Sequence, residues 1–228
     1  MHIPALDDNE IGFVRERLDF IDRLTEPEIK TLEGAVSRVK YVRGTVLHSK
    51  DSDCLGVLLV HTGELRAYIV SEDGREITLY RLKRGDVCVL SASCVLNSLS
   101  FDVLIDTDRD SEVFKINLGA FQKLMKGNVY VENFAYKNAA ERFSDVMWAV
   151  EQILFMRFDK RLAIFLLDES AATGEVRMTH EEIARHVGSA REVVSRMLKT
   201  FEGQGIVRQS RGIVRIANRD LLKRILGS

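Results

Sequence analysis

The 228-residue chain is poor in cysteine, proline and long apolar runs, and it has almost no net charge. Its 3 cysteines, Cys54, Cys88 and Cys94, form no CxxC pair and are odd in number, which argues against a disulfide framework and makes reduced thiols the default. With 2 prolines and 15 glycines it is neither fibrous nor low-complexity, and 46% hydrophobic residues are enough to bury a core. The ~18 consecutive apolar residues of a membrane span are missing, since 153–167 is interrupted by Arg157, Asp159, Lys160 and Arg161. The first ten residues, MHIPALDDNE, carry acids where a secretory signal would be basic and then apolar. The expected location is the cytoplasm, with no membrane partner.

The balance of 33 Lys and Arg against 34 Asp and Glu conceals an asymmetry. Residues 175–228 hold 11 basic and 6 acidic side chains, a net of +5, whereas residues 1–174 hold 22 and 28, a net of -6. A basic end on an acidic body implies an anionic partner for that end.

Between Tyr41 and Ile116, short runs rich in Val, Ile, Leu, Tyr and Phe alternate with Ser-, Asp- and Gly-containing breaks. The clearest strands are 57–60, 64–70, 76–82 and 103–105, and Ser71-Glu72-Asp73-Gly74 marks a hairpin between the second and third. Strands at this spacing imply a barrel, roll or sandwich. Ahead of them, 27–39 reads as a short helix with Ile29, Leu32 and Val36 on one face.

Beyond Gly127 the period becomes helical. Val131, Phe134, Ala135, Ala139, Phe143, Val146, Val150 and Ile153 recur at steps of three and four without an intervening Gly or Pro, which predicts one long helix over 128–158. The near-heptad seam through Phe143, Val146, Val150 and Ile153 is what a two-stranded coiled coil buries, so a homodimer is expected through these residues. A second short helix follows at 159–168, and Ala171-Ala172-Thr173-Gly174 breaks the chain before the basic end.

Thr179-His180-Glu181-Glu182 has the spacing of a capping box, with Ile183, Ala184 and Val187 facing inward and Gly188 ending the helix. Ser189-Ala190-Arg191-Glu192 repeats that spacing and opens a second helix running to about Phe201. Two short helices across a glycine turn are a helix-turn-helix. The second helix carries Arg191, Glu192, Ser195, Arg196 and Lys199 on one side, groups able to reach phosphates and base edges. Residues 205–216 read as two short strands around a basic turn containing Arg208 and Arg211, which is a wing. Double-stranded DNA is therefore the expected partner, with Thr179 and Ser189 adding contacts at the helix starts.

The segment 179–199 resembles the cyclic-AMP receptor protein and fumarate-nitrate regulator (Crp/Fnr) family of bacterial transcription factors. Looser matches are Leu18-Asp19-Phe20-Ile21, Tyr41-Val42-Arg43-Gly44, Thr62-Gly63-Glu64-Leu65 and Leu82-Lys83-Arg84-Gly85-Asp86. The resemblance implies an α+β chain in three parts: a cupin-like, cyclic-nucleotide-binding-domain-like β-roll over 1–127, a dimerisation helix over 128–158, and a winged helix-turn-helix over 159–228. It further implies base reading by Arg191, Glu192 and Arg196, with Ser195 at a position some branches also use, a palindromic operator with TGA-like half-sites, and contact with RNA polymerase if the protein activates.

The departures from that family matter as much. Cyclic-nucleotide binders carry a Gly-Glu pair and then an Arg-Ser or Arg-Thr pair that holds the phosphate, but this chain has no Arg between Arg84 and Arg109, so cyclic AMP is not expected as effector. The iron-sulfur branch uses N-terminal cysteines, and residues 1–53 contain none. The effector region retains Cys88, Ser91, Ser93 and Cys94, whose cysteines are either small core hydrophobes or the thiols of a redox, haem or metal sensor. No metal ligand is assigned to His48 or His61, the cofactor is left open, and no catalytic residue is expected because the roll has neither a close His pair nor a GxSxG elbow. A constitutive DNA-binding dimer with a purely structural roll is the alternative.

Overall fold

The computed structural model describes residues 6–48, 55–89 and 103–227. Two compact units divide the chain: residues 1–69 with 79–146, and residues 70–78 with 147–228.

The first unit opens with α1 (Asp8–Arg17), started by a capping box in which Asp7 accepts from the Glu10 amide and Glu10 reaches back to the Asp7 amide. After a 3-10 turn at Ile21–Arg23 comes α2 (Glu26–Glu33), begun by a second such box between Thr25 and Glu28. The helix expected over 27–39 is half right. It stops at Gly34, and Val36–Tyr41 is β1, paired along its whole length with β8 (Ser111–Ile116). Ile29 and Leu32 do follow a helical period, but Val36 begins a strand that happens to fall four residues on, where β-branched residues at 36 and 39 favour the extended chain.

The remaining strands are β2 (Val46–His48), β3 (Val57–Thr62), β4 (Leu65–Val70), β5 (Glu76–Leu82), β6 (Val87–Cys88) and β7 (Leu104–Thr107). They form two four-stranded sheets, ordered β1-β8-β3-β6 and β2-β7-β4-β5. Both contribute to one core containing Leu58, Val60, Leu65, Leu82, Ile105 and Val113. Gly63 turns β3 into β4 with φ 82°, where a Cβ would lie 2.3 Å from the Asp110 carbonyl oxygen, so only glycine fits. A second core gathers Leu18, Phe20, Leu32, Phe114 and Phe121 with Phe134, whose ring meets Phe20 edge-on at 5.0 Å. It is completed by α3 (Leu118–Gly127).

Charges inside this unit are paired. Arg66, with its side chain 3% exposed, makes two hydrogen bonds to Asp106 at 3.0 and 2.6 Å and lies over the Tyr68 ring. Glu64, also buried, faces Arg81 at 3.3 Å and Arg109 at 3.5 Å.

The long helix is α4 (Val129–Phe155), 27 residues and therefore about 40 Å long. The seam expected to be free for dimerisation is split. Val146 and Ala139 pack on the roll core, and Ile153 lies against Gly188 in the second unit, where a glycine Cβ would come within 3.3 Å of it. Phe143 is 61% exposed and Val150 half-buried. Among the described residues the more exposed apolar stripe runs Tyr136, Ala140, Phe143, Met147, half-buried Val150 and Leu154, at alternating steps of four and three. Both faces of the helix are apolar, and periodicity alone does not say which one its own domain covers.

In the second unit, Arg161 closes the end of α4 by donating to the carbonyls of Gln152, Ile153 and Met156. There follow α5 (Phe158–Glu169), β9 (Glu175–Val176), α6 (His180–Val187), α7 (Arg191–Gly203), β10 (Val207–Ser210), β11 (Ile213–Ile216) and α8 (Arg219–Leu226). Their core holds Leu162, Leu166, Ile183, Val194, Leu198, Phe201 and Leu222, and the three strands are ordered β10-β11-β9. The sequence reading missed β9, too short to carry a period of its own, and α8, although its Leu221, Leu222 and Ile225 follow a helical period.

Candidate nucleic-acid interface

The helix pair is built by local chemistry at its ends. Thr179 caps α6 by accepting from the Glu182 amide at 3.2 Å, and Glu182 accepts from the Thr179 amide at 2.7 Å. At the other end Gly188 sits at φ 60°, left-handed, and lets α6 close while the chain turns. The second capping box does not form. The Ser189 amide donates to the Ala184 carbonyl at 3.0 Å, finishing α6, and the N-cap of α7 is Ala190, with no side-chain cap. The Ser-to-Glu spacing was right, but the helix starts one residue later because Ser189 is still bound to the turn.

On α7, Val194, Leu198 and Phe201 are buried. Steps of three and four then put Glu192, Ser195, Arg196 and Lys199 together on the opposite side, with Glu192, Arg196 and Lys199 exposed and Ser195 half-buried. Arg191, exposed, stands at the helix start. The Ser195 hydroxyl shares a 2.7 Å hydrogen bond with Nδ1 of His180, so α6 holds the side chain in place. His180 was not singled out from the sequence. A His at the first helical position carries no signal until the fold brings it beside residue 195.

The wing is the antiparallel pair β10 and β11, in register from Val207 opposite Ile216 to Ser210 opposite Ile213, with Arg211 and Gly212 at its tip. A groove of about 430 Å³ lies between the starts of α6 and α7 and this tip, lined by Thr179, His180, Arg191, Ser210, Arg211 and Gly212 among others. Helix starts present unpaired amide groups and positive dipole ends, so this concavity suits an anion.

The cations here fall into two sets. Arg215 and Arg177 both pair with Glu175, Arg215 at 3.1 Å, and the Arg215 hydrogen bond, followed by that of Arg177, holds the Glu175 carboxyl below the usual range. Arg191, Arg196, Lys199, Arg208 and Arg211 make no ion pair among the described residues and are all exposed. Unpaired cations on one side of a helix-turn-helix are available to phosphates and bases. In the roll, Cys88 is buried without a disulfide, and burial together with the neighbouring Cys88 raises the Tyr80 phenol well above its ordinary value. Ser91, Ser93, Cys94 and Cys54 lie outside the described residues. Among the described residues no three His, Cys, Asp or Glu side chains converge as a metal site, and no helix is long and apolar enough to cross a membrane.

Residues 38–128 match the cyclic nucleotide-binding domain, and residues 160–225 match the Crp-like helix-turn-helix domain. A solved chain from Eubacterium rectale ATCC 33656, described as a transcriptional regulator of the crp/fnr family, is 40% identical, has a TM-score of 0.90, and is covered over 100% of its length by 93% of this one. This chain belongs to the Crp/Fnr family. Among curated members it is similar to the transcriptional regulatory protein btr of Bordetella pertussis, 27% identical over 88% of this chain and 86% of the relative. It is also similar to the cAMP-activated global transcriptional regulator Vfr of Pseudomonas aeruginosa, 25% identical over 79% of this chain and 91% of the relative. As a Crp/Fnr protein it is a DNA-binding transcription regulator.

Proposed function

We propose that the protein acts as a cytoplasmic homodimer on an inverted-repeat operator, responding to a signal other than cyclic AMP through the β-roll, without catalysis. The observation that carries the DNA reading is the set of five exposed cations on α7 and the wing, without an ion pair among the described residues, two of which, Arg191 and Arg211, line the groove. Arg191 and Arg196 donate to guanine O6 and N7, Glu192 accepts from a cytosine amino group, and Ser195, oriented by His180, completes the reading side. Lys199, Arg208 and Arg211 bind phosphate, with Thr179 and Ser189, at the two ends of α6, as flanking contacts. Where the operator lies upstream of an activated promoter, RNA polymerase is the further partner.

The stripe from Tyr136 to Leu154 supports the dimer, because a heptad-spaced apolar seam with Phe143 61% exposed matches what a second copy of α4 would bury. A dimer also places two copies of α7 about one helical turn of DNA apart, ~34 Å, as a palindrome needs. The roll has no Arg between residues 84 and 109, so a cyclic phosphate would lose its charge-assisted partner and keep its desolvation cost. Met147→Asp tests the dimer by sedimentation. The variant should be monomeric at micromolar concentration where the wild type is dimeric, and a dimeric variant would place the interface elsewhere.

A further inference from the structure

One polar cavity lies apart from the DNA interface. About 230 Å³ in volume, it opens in the first unit between α1, the β5–β6 turn and one face of α4, on which Phe134, Asn138 and Arg142 succeed one another at steps of four. Its α4 wall holds two buried groups that lack what their chemistry requires among the described residues. Asn138 is 8% exposed and its Oδ1 has no donor among the described residues, and one helical turn on, the buried Nε of Arg142 has no acceptor among them, although the same guanidinium reaches Asp145 at 3.0 Å. An orphaned buried donor or acceptor costs ~1 to 3 kcal/mol, so an adjacent pair, one of each kind, marks a place shaped for a bound molecule.

The charges around the pair narrow the chemistry. Arg17, Lys137 and Arg142 bring positive charge to the same walls, while Glu16, Asp86 and Glu141 bring negative charge. A plain anion would face the carboxylates, and a plain cation would face the guanidinium and ammonium groups. A molecule carrying both signs on neighbouring atoms satisfies both sets, with its ammonium toward Asn138 Oδ1 and its carboxylate toward Arg142 Nε. The volume falls below the ~300 to 1,000 Å³ of drug-sized sites, and Phe134 and Val87 supply apolar wall for a short side chain.

We propose that this cavity binds a small zwitterion of the α-amino-acid class. The proposal gives a chemical class to the signal left open above, and it rests on that reading for its regulatory meaning alone.

Titration calorimetry on the full chain tests it, using a panel of common L-α-amino acids, each compared with its decarboxylated amine and its deaminated acid. At least one amino acid should bind saturably below roughly 10 mM while its amine and its acid do not. Asn138→Leu, which replaces the orphaned amide with an apolar group of similar shape and so should fold, and Lys137→Met at the surface should each weaken that binding by about tenfold or more. Absence of saturable binding across the panel, equal binding of an amine or acid, or undiminished binding by both variants would overturn the site. An amino acid that binds as described yet leaves operator affinity unchanged would uphold the site and count against regulation through the roll.

Discussion

The two units use arginine in opposite ways. In the roll, Arg66 is buried on Asp106, and Arg81 and Arg109 converge on buried Glu64, so each positive charge is consumed by a negative one brought from a distant part of the chain. In the winged unit Arg191, Arg196, Arg208 and Arg211 stand exposed without an ion pair among the described residues, whereas Arg177 and Arg215 pair with Glu175, Arg157 with Asp159 and Arg185 with Glu76. The net charges of -6 over residues 1–174 and +5 over residues 175–228 lean the same way as this division of labour. Paired arginine fixes a fold, whereas unpaired arginine is held ready for an external anion.

That contrast breaks most visibly where a paired arginine is removed. Arg66→Met leaves Asp106 as an uncompensated buried carboxylate, and urea unfolding should show the roll destabilised by ~3 to 5 kcal/mol. Arg196→Ala removes a side chain with no ion pair among the described residues. It should leave stability within ~0.5 kcal/mol of wild type while costing ~1 to 3 kcal/mol in affinity for the specific operator, by fluorescence anisotropy. Thr179→Ala acts on the frame that holds the reading helix. Loss of its cap should lower stability by ~1 kcal/mol, seen as a lower midpoint of unfolding. Smallest in selectivity is Arg208→Ala, which should weaken specific and non-specific DNA alike and reduce the slope of log affinity against log salt by about one.

The same contrast explains what could be read beforehand. The helix-turn-helix was legible because its signals are local. Thr179 and Glu182 lie three residues apart, Gly188 marks a left-handed stop, and the charged side of α7 follows from steps of three and four. Local signals also set the limit of precision, as at Ser189, where correct capping spacing was pre-empted by a hydrogen bond to the preceding helix. In the roll, strand identity was legible from composition, but the pairing of β1 with β8 joins residues as distant as Val36 and Ile116, and Val36 therefore passed as helical. On α4 the sequence shows apolar residues on both faces. Val146 and Phe143 differ only in what the rest of the fold puts against them, one meeting the roll core and the other left bare. His180 and Asn138 were invisible for the same reason, since the first matters through Ser195 and the second through a cavity that three separate elements enclose.

The central claim, that the unpaired side of α7 reads DNA sequence, is tested most directly by selecting binding sites from random DNA with wild type and with Arg196→Ala in parallel. The wild type should enrich an inverted repeat whose half-sites contain a fixed G·C pair, and the variant should enrich the same repeat with that one position relaxed. An identical motif from both proteins, or no motif from the wild type, would contradict it.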